Sequence, residues 1–294
     1  MTATTYDLEH RERGRIERIF DNWLVKLIVI AIALLWLVPS LGLLVTSFRP
    51  AQDITSSGWW SVLSGGAEWT INNYQRVIEA DGMGNAFLNS LAVAIPATVI
   101  PIAIAAFAAY AFAWMDFKGR QVLFVIVVGL MVVPLQMALI PLLKIYVGLD
   151  LSGTYLAVWL AHTGFGLPLA IYLLRNYIGS LPRSIIESAS IDGASHFSTF
   201  FRLVVPLSVP VIAAFAIFQF LWVWNDFLVA LVFLGGTPDV SVVTIRLAEL
   251  TGTRGQAWEV LTAGAFLTMV LPLIVFFALQ RYFVRGLTAG SVKG

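Results

Sequence analysis

Residues 86–115 read AFLNSLAVAIPATVIPIAIAAFAAYAFAWM, thirty residues in a row without a charged side chain. Roughly 20 apolar residues are enough for an α-helix to cross the hydrocarbon core of a bilayer. The charge-free stretch begins at Gly82, but its polar first residues place the predicted start of the helix near Asn85 or Ala86. The stretch therefore predicts a helix whose solvent is lipid.

The rest of the chain has the same character. Hydrophobic residues make up 59% of the 294 residues and charged residues 12%, with a mean hydropathy of +0.85. Soluble domains carry about twice that charged fraction. The strict two-residue alternation of a lipid-facing β-barrel is absent from the sequence. We therefore expect an all-α membrane protein with six transmembrane helices, within the charge-free stretches Leu27–Phe48, Gly82–Met115, Gln121–Leu143, Leu151–Leu174, Leu203–Asn225 and Val260–Gln280.

The distribution of Lys and Arg predicts the orientation of the chain. With six spans both termini lie on one side, and the segments on that side hold 13 of the 18 basic residues. The positive-inside bias then predicts that both termini lie in the cytoplasm. We expect the chain in the plasma (inner) membrane. The first apolar run is too long, and its charged leader too extended, for a cleaved signal peptide. Topology accounts for the basic residues, so the net charge of +1 gives no indication of nucleic-acid binding.

These spans divide the chain into four segments. We expect a cytoplasmic N-terminal segment at 1–23, then the first transmembrane helix with a long outer loop at 24–84. A transmembrane core follows at 85–280 and a cytoplasmic tail at 281–294. Within the core, residues 175–205 form a long cytoplasmic loop between the fourth and fifth helices. The fifth apolar run is expected to continue past Asp226 to a turn at 235–238.

The cytoplasmic loop contains ESASIDGA at 187–194, a small and polar patch in an apolar chain. Pro182 suits a helix start, and Ser184 and Glu187 have the S-x-x-E spacing of a capping box. Gly193 is placed for a left-handed C-terminal cap, and Ser195 for the N-cap of a second helix ending at Pro206. The local pattern predicts helix, glycine turn, helix. Such a hairpin could rest on the bilayer surface or dock into a soluble partner.

The spacing Glu187-x-Ala189-x3-Gly193-x9-Leu203-x-Val205-Pro206 resembles the cytoplasmic loop of ABC importer permeases, E-A-A-x3-G-x9-I-x-L-P. Ser188 stands where the family has Ala, Leu203 where it has Ile and Val205 where it has Leu. The terminal QRYFVRGLTAGSVKG is similar to the tail of maltose-type carbohydrate permeases, and WNDFL at 224–228 resembles their W-N-E-F segment. The resemblance covers about residues 20–294.

This resemblance implies a type I ABC importer permease architecture and a set of partners. The partners are a second homologous permease, two copies of a cytoplasmic ATP-binding subunit, an extracytoplasmic sugar-binding protein and membrane lipid. The loop would be a coupling helix seated on the ATPase, and the tail would reach between the two ATPases. The implied coupling residues are Glu187, Ser188, Ala189, Asp192, Gly193 and Ala194, and the implied tail contacts are Ala289, Gly290 and Ser291.

The sequence also indicates which chemistry lies elsewhere. It has no G-x-x-x-x-G-K-[ST] phosphate loop, so ATP hydrolysis is expected on the partner subunit and no catalytic residue is predicted here. It has no cysteine, and its spans hold too few His, Asp or Glu residues for a metal or acid–base site. We therefore expect neither a cofactor nor a bound metal.

Polar residues in the fifth span are candidates for the substrate pathway. These candidates are Gln219, Trp222, Asn225 and Asp226, and the indole and amide groups among them suit sugars. Helix packing and interhelical hydrogen bonding are the simpler explanation of these residues. The leading interpretation is a permease subunit forming half of the pathway of an ATP-driven sugar importer. SFRPAQDI and SGWW in the first outer loop loosely resemble α-glucoside importers, and this resemblance implies an α-glucoside without identifying the sugar. The alternative is an ion-coupled secondary transporter of a small polar solute, for which a single intramembrane acid is poor material.

Overall fold

A computed structural model describes residues 22–65, 68–79, 82–252 and 257–288. Every regular element in these ranges is helical, as predicted. Three short 3-10 segments, Trp59–Ser64, Leu130–Val132 and Pro238–Val240, and a π turn at Phe200–Val204 accompany the α-helices. In chain order the α-helices are α1 Trp23–Ser47, α2 Ala51–Ser56, α3 Asn72–Glu79, α4 Met83–Trp114, α5 Arg120–Gly129, α6 Leu135–Gly148, α7 Tyr155–Gly179, α8 Arg183–Ile191, α9 His196–Thr199, α10 Val205–Leu207, α11 Val209–Trp224, α12 Leu228–Leu234, α13 Val243–Gly252 and α14 Trp258–Thr288.

Among the described residues, four unbroken helices are long and apolar enough to cross a membrane: α1, α4, α7 and α14 up to Gln280. Two bent pairs bring the total to six if each pair is one span. These are Arg120–Val132 with Leu135–Gly148, bent by 101°, and His196–Leu207 with Val209–Trp224, bent by 72°. The six predicted regions are therefore all helical, but the third and fifth are not the continuous helices that the sequence indicated.

Proline explains the break in the third region. Val133 adopts an extended conformation with φ −69° and ψ 118°, immediately before Pro134. The proline ring disfavours the helical conformation of the residue that precedes it. The helix therefore ends at Val132 and a new one begins at Leu135, in the middle of the predicted span 121–143.

The fifth region is interrupted twice. The chain bends at Ser208, between two prolines at 206 and 210 that cannot donate backbone hydrogen bonds. It breaks again after Trp224, and α12 starts only at Leu228. The expected continuation past Asp226 is thus a separate short helix, which ends at Gly235 with a positive φ of 71°. The predicted turn at 235–238 is confirmed.

The chain divides into two compact units. The first unit consists of residues up to Tyr74 and of Gln256–Ala263, and the second of Gln75–Gly255 and the residues from Gly264 onward.

In the first unit the guanidinium of buried Arg49 organises the segment after α1. It donates to the carbonyl oxygens of Asp53 and Ser57, at 2.9 and 3.2 Å, and to the hydroxyl of Ser57 at 2.6 Å.

In the second unit α4 and α7 form the most extensive helix pair. Small residues of α4 let the two backbones approach closely, among them Ala97, Ala105 and Ala109, each fully buried. Indole groups fasten the pair at both ends. Trp159 Nε1 donates to the carbonyl of Ala92 at 3.0 Å, and Trp114 Nε1 donates to the carbonyl of Ile178 at 3.1 Å. The result is a rigid frame against which the interrupted helices pack.

Candidate functional site

The predicted glycine turn is present in the loop after α7. The N–H of Gly193 donates to the carbonyl of Ser190 at 3.1 Å, and the N–H of Ala194 donates to that of Ala189 at 2.9 Å. This is the Schellman pattern of hydrogen bonds, which requires a left-handed residue after the helix. Gly193 supplies it with φ 74°. Helices α8 and α9 therefore form a tight hairpin, hereafter the 183–207 hairpin, which also includes the π turn and α10.

The N-terminal caps of the two hairpin helices differ from one another. At α9 the Ser195 hydroxyl accepts from the N–H of Ser198 at 3.3 Å, as predicted. At α8 the predicted capping box is wrong, because the helix starts at Arg183 and Pro182 occupies the cap position without a side-chain hydrogen bond. Ser184 thus lies inside the first turn, two residues after the cap position.

The predicted coupling residues lie together around the turn. Glu187, Ser188, Asp192 and Gly193 are exposed and Ala194 is half-buried. Ala189 differs from the others, because it is only 7% exposed within this chain. Its small side chain serves the packing of the hairpin, while the polar residues around it form the accessible surface.

Two apolar residues at the tip were not among the predicted site residues. Ile191 is 86% exposed and Phe197 is 69% exposed, on either side of the glycine turn. Their signal in the sequence was a large apolar side chain within four residues of a turn glycine, at positions that the motif does not specify. Such exposed apolar groups among polar neighbours are typical of a surface that contacts another protein or lipid.

The base of the hairpin belongs to the hydrophobic core of the second unit. Phe200 is 3% exposed and Val204 fully buried, and both pack in one cluster with residues of α4, α7 and α11. Ile186 of α8 packs against the same cluster. The hairpin therefore continues the transmembrane core and does not lie as a detached amphipathic segment on a surface.

A cavity of about 490 Å³ lies where the bend of the third region meets the middle of α7 and α11. Its walls are almost entirely apolar. Of the four candidate pathway residues, it is lined by Gln219 and Trp222. The remaining lining residues are Leu130, Met131, Val133, Leu135, Gly164, Phe165, Gly166, Pro168, Leu169 and Phe218.

Gln219 connects three helices. Its Nε2 donates to the carbonyl of Ala97 in α4 at 3.2 Å and lies 3.5 Å from the carbonyl oxygen of His162 in α7. The side chain is fully buried, and its Oε1 forms no hydrogen bond with any residue that the structure describes. Gln219 thus holds helices together at the wall of the cavity, whereas Trp222 is half-buried and presents an aromatic surface there.

Asn225 and Asp226 do not line this cavity. The amide of Asn225 donates back to the carbonyl of Leu221 at 2.7 Å. The carboxylate of Asp226 caps α12, because it accepts from the N–H groups of Val229 at 3.3 Å and Ala230 at 2.9 Å. Its Oδ2 also lies 3.7 Å from Nε2 of buried His162. The hydrogen-bond partners that this carboxylate needs inside an apolar chain are therefore mainly backbone N–H groups.

Two of the predicted features fall outside this description. Ala289, Gly290 and Ser291 of the tail lie beyond the described residues, as does most of the N-terminal segment. Within the described ranges, no group of three or more His, Cys, Asp or Glu residues could hold a metal ion.

Comparisons with known proteins identify the family of this chain. Residues 101–289 match the protein family described as "Binding-protein-dependent transport system inner membrane component". The osmoprotective compounds uptake permease protein GgtD of Synechocystis sp. is 62% identical over 272 residues, which are 92% of this chain and 91% of the relative. The α-glucoside transport system permease protein AglG of Rhizobium meliloti is 46% identical and covers 93% of this chain and 97% of its own.

The fold also matches a solved structure. A chain from the crystal structure of a bacterial ABC transporter, involved in the import of the acidic polysaccharide alginate, aligns with a TM-score of 0.69 at 21% identity. The alignment covers 92% of this chain and 98% of that one. The predicted ABC importer permease architecture is confirmed, and the chain belongs to the family of binding-protein-dependent transport system inner membrane components.

Proposed function

We propose that this chain is one permease subunit of an ATP-driven importer of α-glucoside sugars. It pairs with a second homologous permease, and each supplies half of the translocation pathway. Both termini and the 183–207 hairpin lie in the cytoplasm, with the first outer loop on the opposite side. The segments 1–23, 24–84, 85–280 and 281–294 keep their proposed roles as N-terminal segment, first span with outer loop, permease core and tail.

The observation that carries this proposal is the 183–207 hairpin. It ends in an exposed tip built on Gly193, and its base is embedded in the hydrophobic core. A partner that moves the tip therefore displaces the packed helices. We propose that the partner is a cytoplasmic ATPase present in two copies. Glu187, Ser188 and Asp192 supply its polar contacts and Ile191 an apolar one, since all four are exposed.

The cavity of about 490 Å³ is proposed as this subunit's wall of the sugar pathway. Sugars present C–H faces that stack on aromatic rings, and Trp222 offers such a ring. Gln219 shapes the wall, and its Nε2 is engaged in contacts between helices. Among the residues that the structure describes, no charged side chain lines the cavity, which suits a neutral solute.

The sugar class rests on similarities of sequence. The SFRPAQDI and SGWW stretches point towards α-glucoside importers, and the AglG relative is named for α-glucoside transport. The GgtD relative, named for osmoprotective compounds, has the higher identity. We propose a small neutral α-glucoside as the substrate, delivered by an extracytoplasmic binding protein.

Reconstitution tests the proposal. The chain is co-expressed with its neighbouring permease, ATPase and binding protein, purified as a complex and placed in liposomes. Uptake of labelled trehalose, sucrose and maltose is then measured with and without internal ATP. We expect uptake of at least one sugar only when ATP is hydrolysed, with no loss on adding a protonophore or a sodium ionophore. Uptake that follows an ion gradient without ATP would establish the secondary transporter instead.

The tail has its own test. We propose that Ala289, Gly290 and Ser291 enter a crevice between the two ATPases, because small residues fit where backbones approach closely. Deleting residues 288–294 is expected to reduce sugar-stimulated ATP hydrolysis while membrane insertion stays intact. An unchanged stimulated rate would contradict this role of the tail.

A further inference from the structure

We propose that Tyr110 and His196 form a latch that links the hairpin to α4, so that motion of the hairpin reaches α4 as well as α11. This inference rests on the proposed coupling function. The phenol oxygen of Tyr110 lies 2.9 Å from Nδ1 of His196, a hydrogen bond between residues 86 positions apart in the sequence. Tyr110 is 4% exposed, so its hydroxyl has little competition from solvent.

Aromatic packing surrounds this hydrogen bond. The ring of Phe200 stacks on Phe107 of α4, with centroids 4.5 Å apart, and meets Tyr110 edge-on at 5.5 Å. Phe107 also contacts Phe201 edge-on at 5.8 Å. Contacts of this geometry contribute beyond the apolar area that they bury. The second half of the hairpin is therefore fixed to one face of α4 by a polar contact and three aromatic ones.

The position of the latch along the chain determines which helix is displaced first when the hairpin tip moves. The covalent route from the hairpin tip to α11 passes through the π turn at 200–204 and then a 72° bend at Ser208. π turns and sharp bends are places where a helix yields. His196 precedes the π turn and Phe200 is its first residue, so both contact α4 on the tip side of the bend at Ser208. A displacement of the tip is therefore transmitted to α4 before it reaches the bend at Ser208.

The packing of α7 against α4 extends the displacement from α4 to α7. Trp114, one turn beyond Tyr110, donates through its indole to the carbonyl of Ile178 at the end of α7. The hairpin thus contacts α4 by the latch, and α4 is fastened to α7 at the same level. We infer that these helices move as one body when the tip is moved, while α11 rotates about Ser208.

Variants can separate the latch from the packing. Tyr110→Phe keeps the buried ring and removes only the hydroxyl, and His196→Ala changes an exposed residue. His196→Asn is the matched rescue, because its amide places an oxygen or nitrogen near the position of Nδ1. Since the chain has no cysteine, Cys introduced at exposed Ile104 of α4 and at exposed Ser184 of α8, which is outside the proposed ATPase contact, can carry spin labels.

The experiment measures the distance distribution between these two labels in the whole complex with cysteine-free partners. It is recorded without nucleotide and after trapping with MgATP and vanadate. We expect a narrow distribution with the same centre in both states for the parent and for His196→Asn. Tyr110→Phe and His196→Ala should broaden it and shift its centre on trapping, and lower sugar-stimulated ATP hydrolysis about five-fold, the factor for one ordinary hydrogen bond.

The outcomes separate the latch from the proposed function. Distributions for Tyr110→Phe and His196→Ala that match the parent in both states would overturn the latch, as would a His196→Asn variant no better than His196→Ala. Failure of the parent chain to bind an ATPase would instead remove the coupling function. In that case broadening in the nucleotide-free distributions still reports whether the contact holds the hairpin on α4.

Discussion

The α-carbon of Gly166 lies directly against the side-chain amide of Gln219. A Cβ built on Gly166 would stand 2.8 Å from Oε1 and 2.9 Å from Nε2 of Gln219. Contacts this short are not tolerated, so the residue in α7 and the residue in α11 depend on each other. The same amide reaches the carbonyl of Ala97 in α4. Three helices therefore meet at the wall of the cavity, at a point where any side chain larger than that of glycine would displace the Gln219 amide.

Gly166→Ala is expected to destabilise the assembled complex by about 1–3 kcal/mol, the usual cost of overpacking a well-packed interior. The added methyl group must displace the Gln219 amide, which is fully buried and already bonded to Ala97. The measurement is the midpoint of thermal unfolding of the purified complex in detergent.

Gly164→Ala is the matched control. Gly164 lies in the same helix and lines the same cavity, but a Cβ there meets nothing within 4 Å. Its midpoint should equal or exceed that of the parent, because alanine favours a helix over glycine. Equal midpoints for the two variants would show that the Gly166–Gln219 contact does not matter.

This contact also illustrates what the sequence could predict. Composition and run length are sums over many residues, so the six apolar regions and the all-helical class were predictable. The turn at Gly193 was predictable because a local hydrogen-bond pattern and a left-handed residue determine it. The role of Gln219 was not, since its partners Ala97 and His162 lie 122 and 57 residues away in the chain.

The errors have local causes as well. The sequence contains Pro134 and Pro210, yet prolines are tolerated in other spans, such as Pro96 and Pro101 within unbroken α4. Only the surrounding packing decides whether a proline kinks a helix or ends it. The capping box at Ser184 and Glu187 failed because Pro182 occupies the N-cap position, two residues before the position that the motif requires.

Trp222→Ala is expected to raise the KM for sugar uptake about five-fold while leaving ATPase binding unchanged. Trp222 lines the cavity, and losing one stacking contact removes on the order of 1 kcal/mol. Uptake at a series of sugar concentrations in liposomes gives the value. The control is Trp224→Phe, since buried Trp224 faces away from the cavity and bonds to the carbonyl of Thr268. A KM unchanged by Trp222→Ala would exclude that residue from the sugar pathway.

Asp226→Ala should destabilise the complex by about 1 kcal/mol, the usual cost of losing a helix cap. Both carboxylate oxygens accept from backbone N–H groups of α12, and alanine offers no acceptor. Asp226→Asn retains one oxygen and should lose less than half of that amount. Thermal midpoints of the two variants decide the point.

The same pair of variants distinguishes the two classes of transporter. If Asp226 acts as a structural cap, Asp226→Asn keeps ATP-driven uptake near the parent rate. An ion-coupled carrier that depended on this carboxylate would lose its uptake when the charge is removed. Abolished uptake in a fully folded Asp226→Asn complex would therefore count against the ATP-driven importer.

Ile191→Asp is expected to weaken the binding of the ATPase at least ten-fold without affecting membrane insertion. The side chain is 86% exposed at the hairpin tip, so the folded chain loses little when it is replaced. Burial of an unpaired carboxylate in an apolar contact is costly, however. Co-purification of the ATPase at graded concentrations measures the loss. Ile191→Met serves as the control, and an Ile191→Asp variant with parental binding would place this residue outside the contact.

Gly193→Val tests the hairpin most directly. With φ at 74°, the backbone of Gly193 is left-handed, which costs a side-chain-bearing residue roughly 1–2 kcal/mol and a β-branched one the most. A Cβ at this position meets nothing within 4 Å, so backbone strain is the only penalty. Valine should therefore unwind the Schellman turn, move Glu187 and Asp192 relative to each other and uncouple sugar uptake from ATP hydrolysis. Gly193→Asn is the control, because asparagine adopts the left-handed region more readily and should retain most of the uptake. The measurement is the number of sugar molecules transported per ATP hydrolysed, in liposomes containing the whole complex. If Gly193→Val keeps the parental ratio, the shape of this turn does not couple ATP hydrolysis to transport.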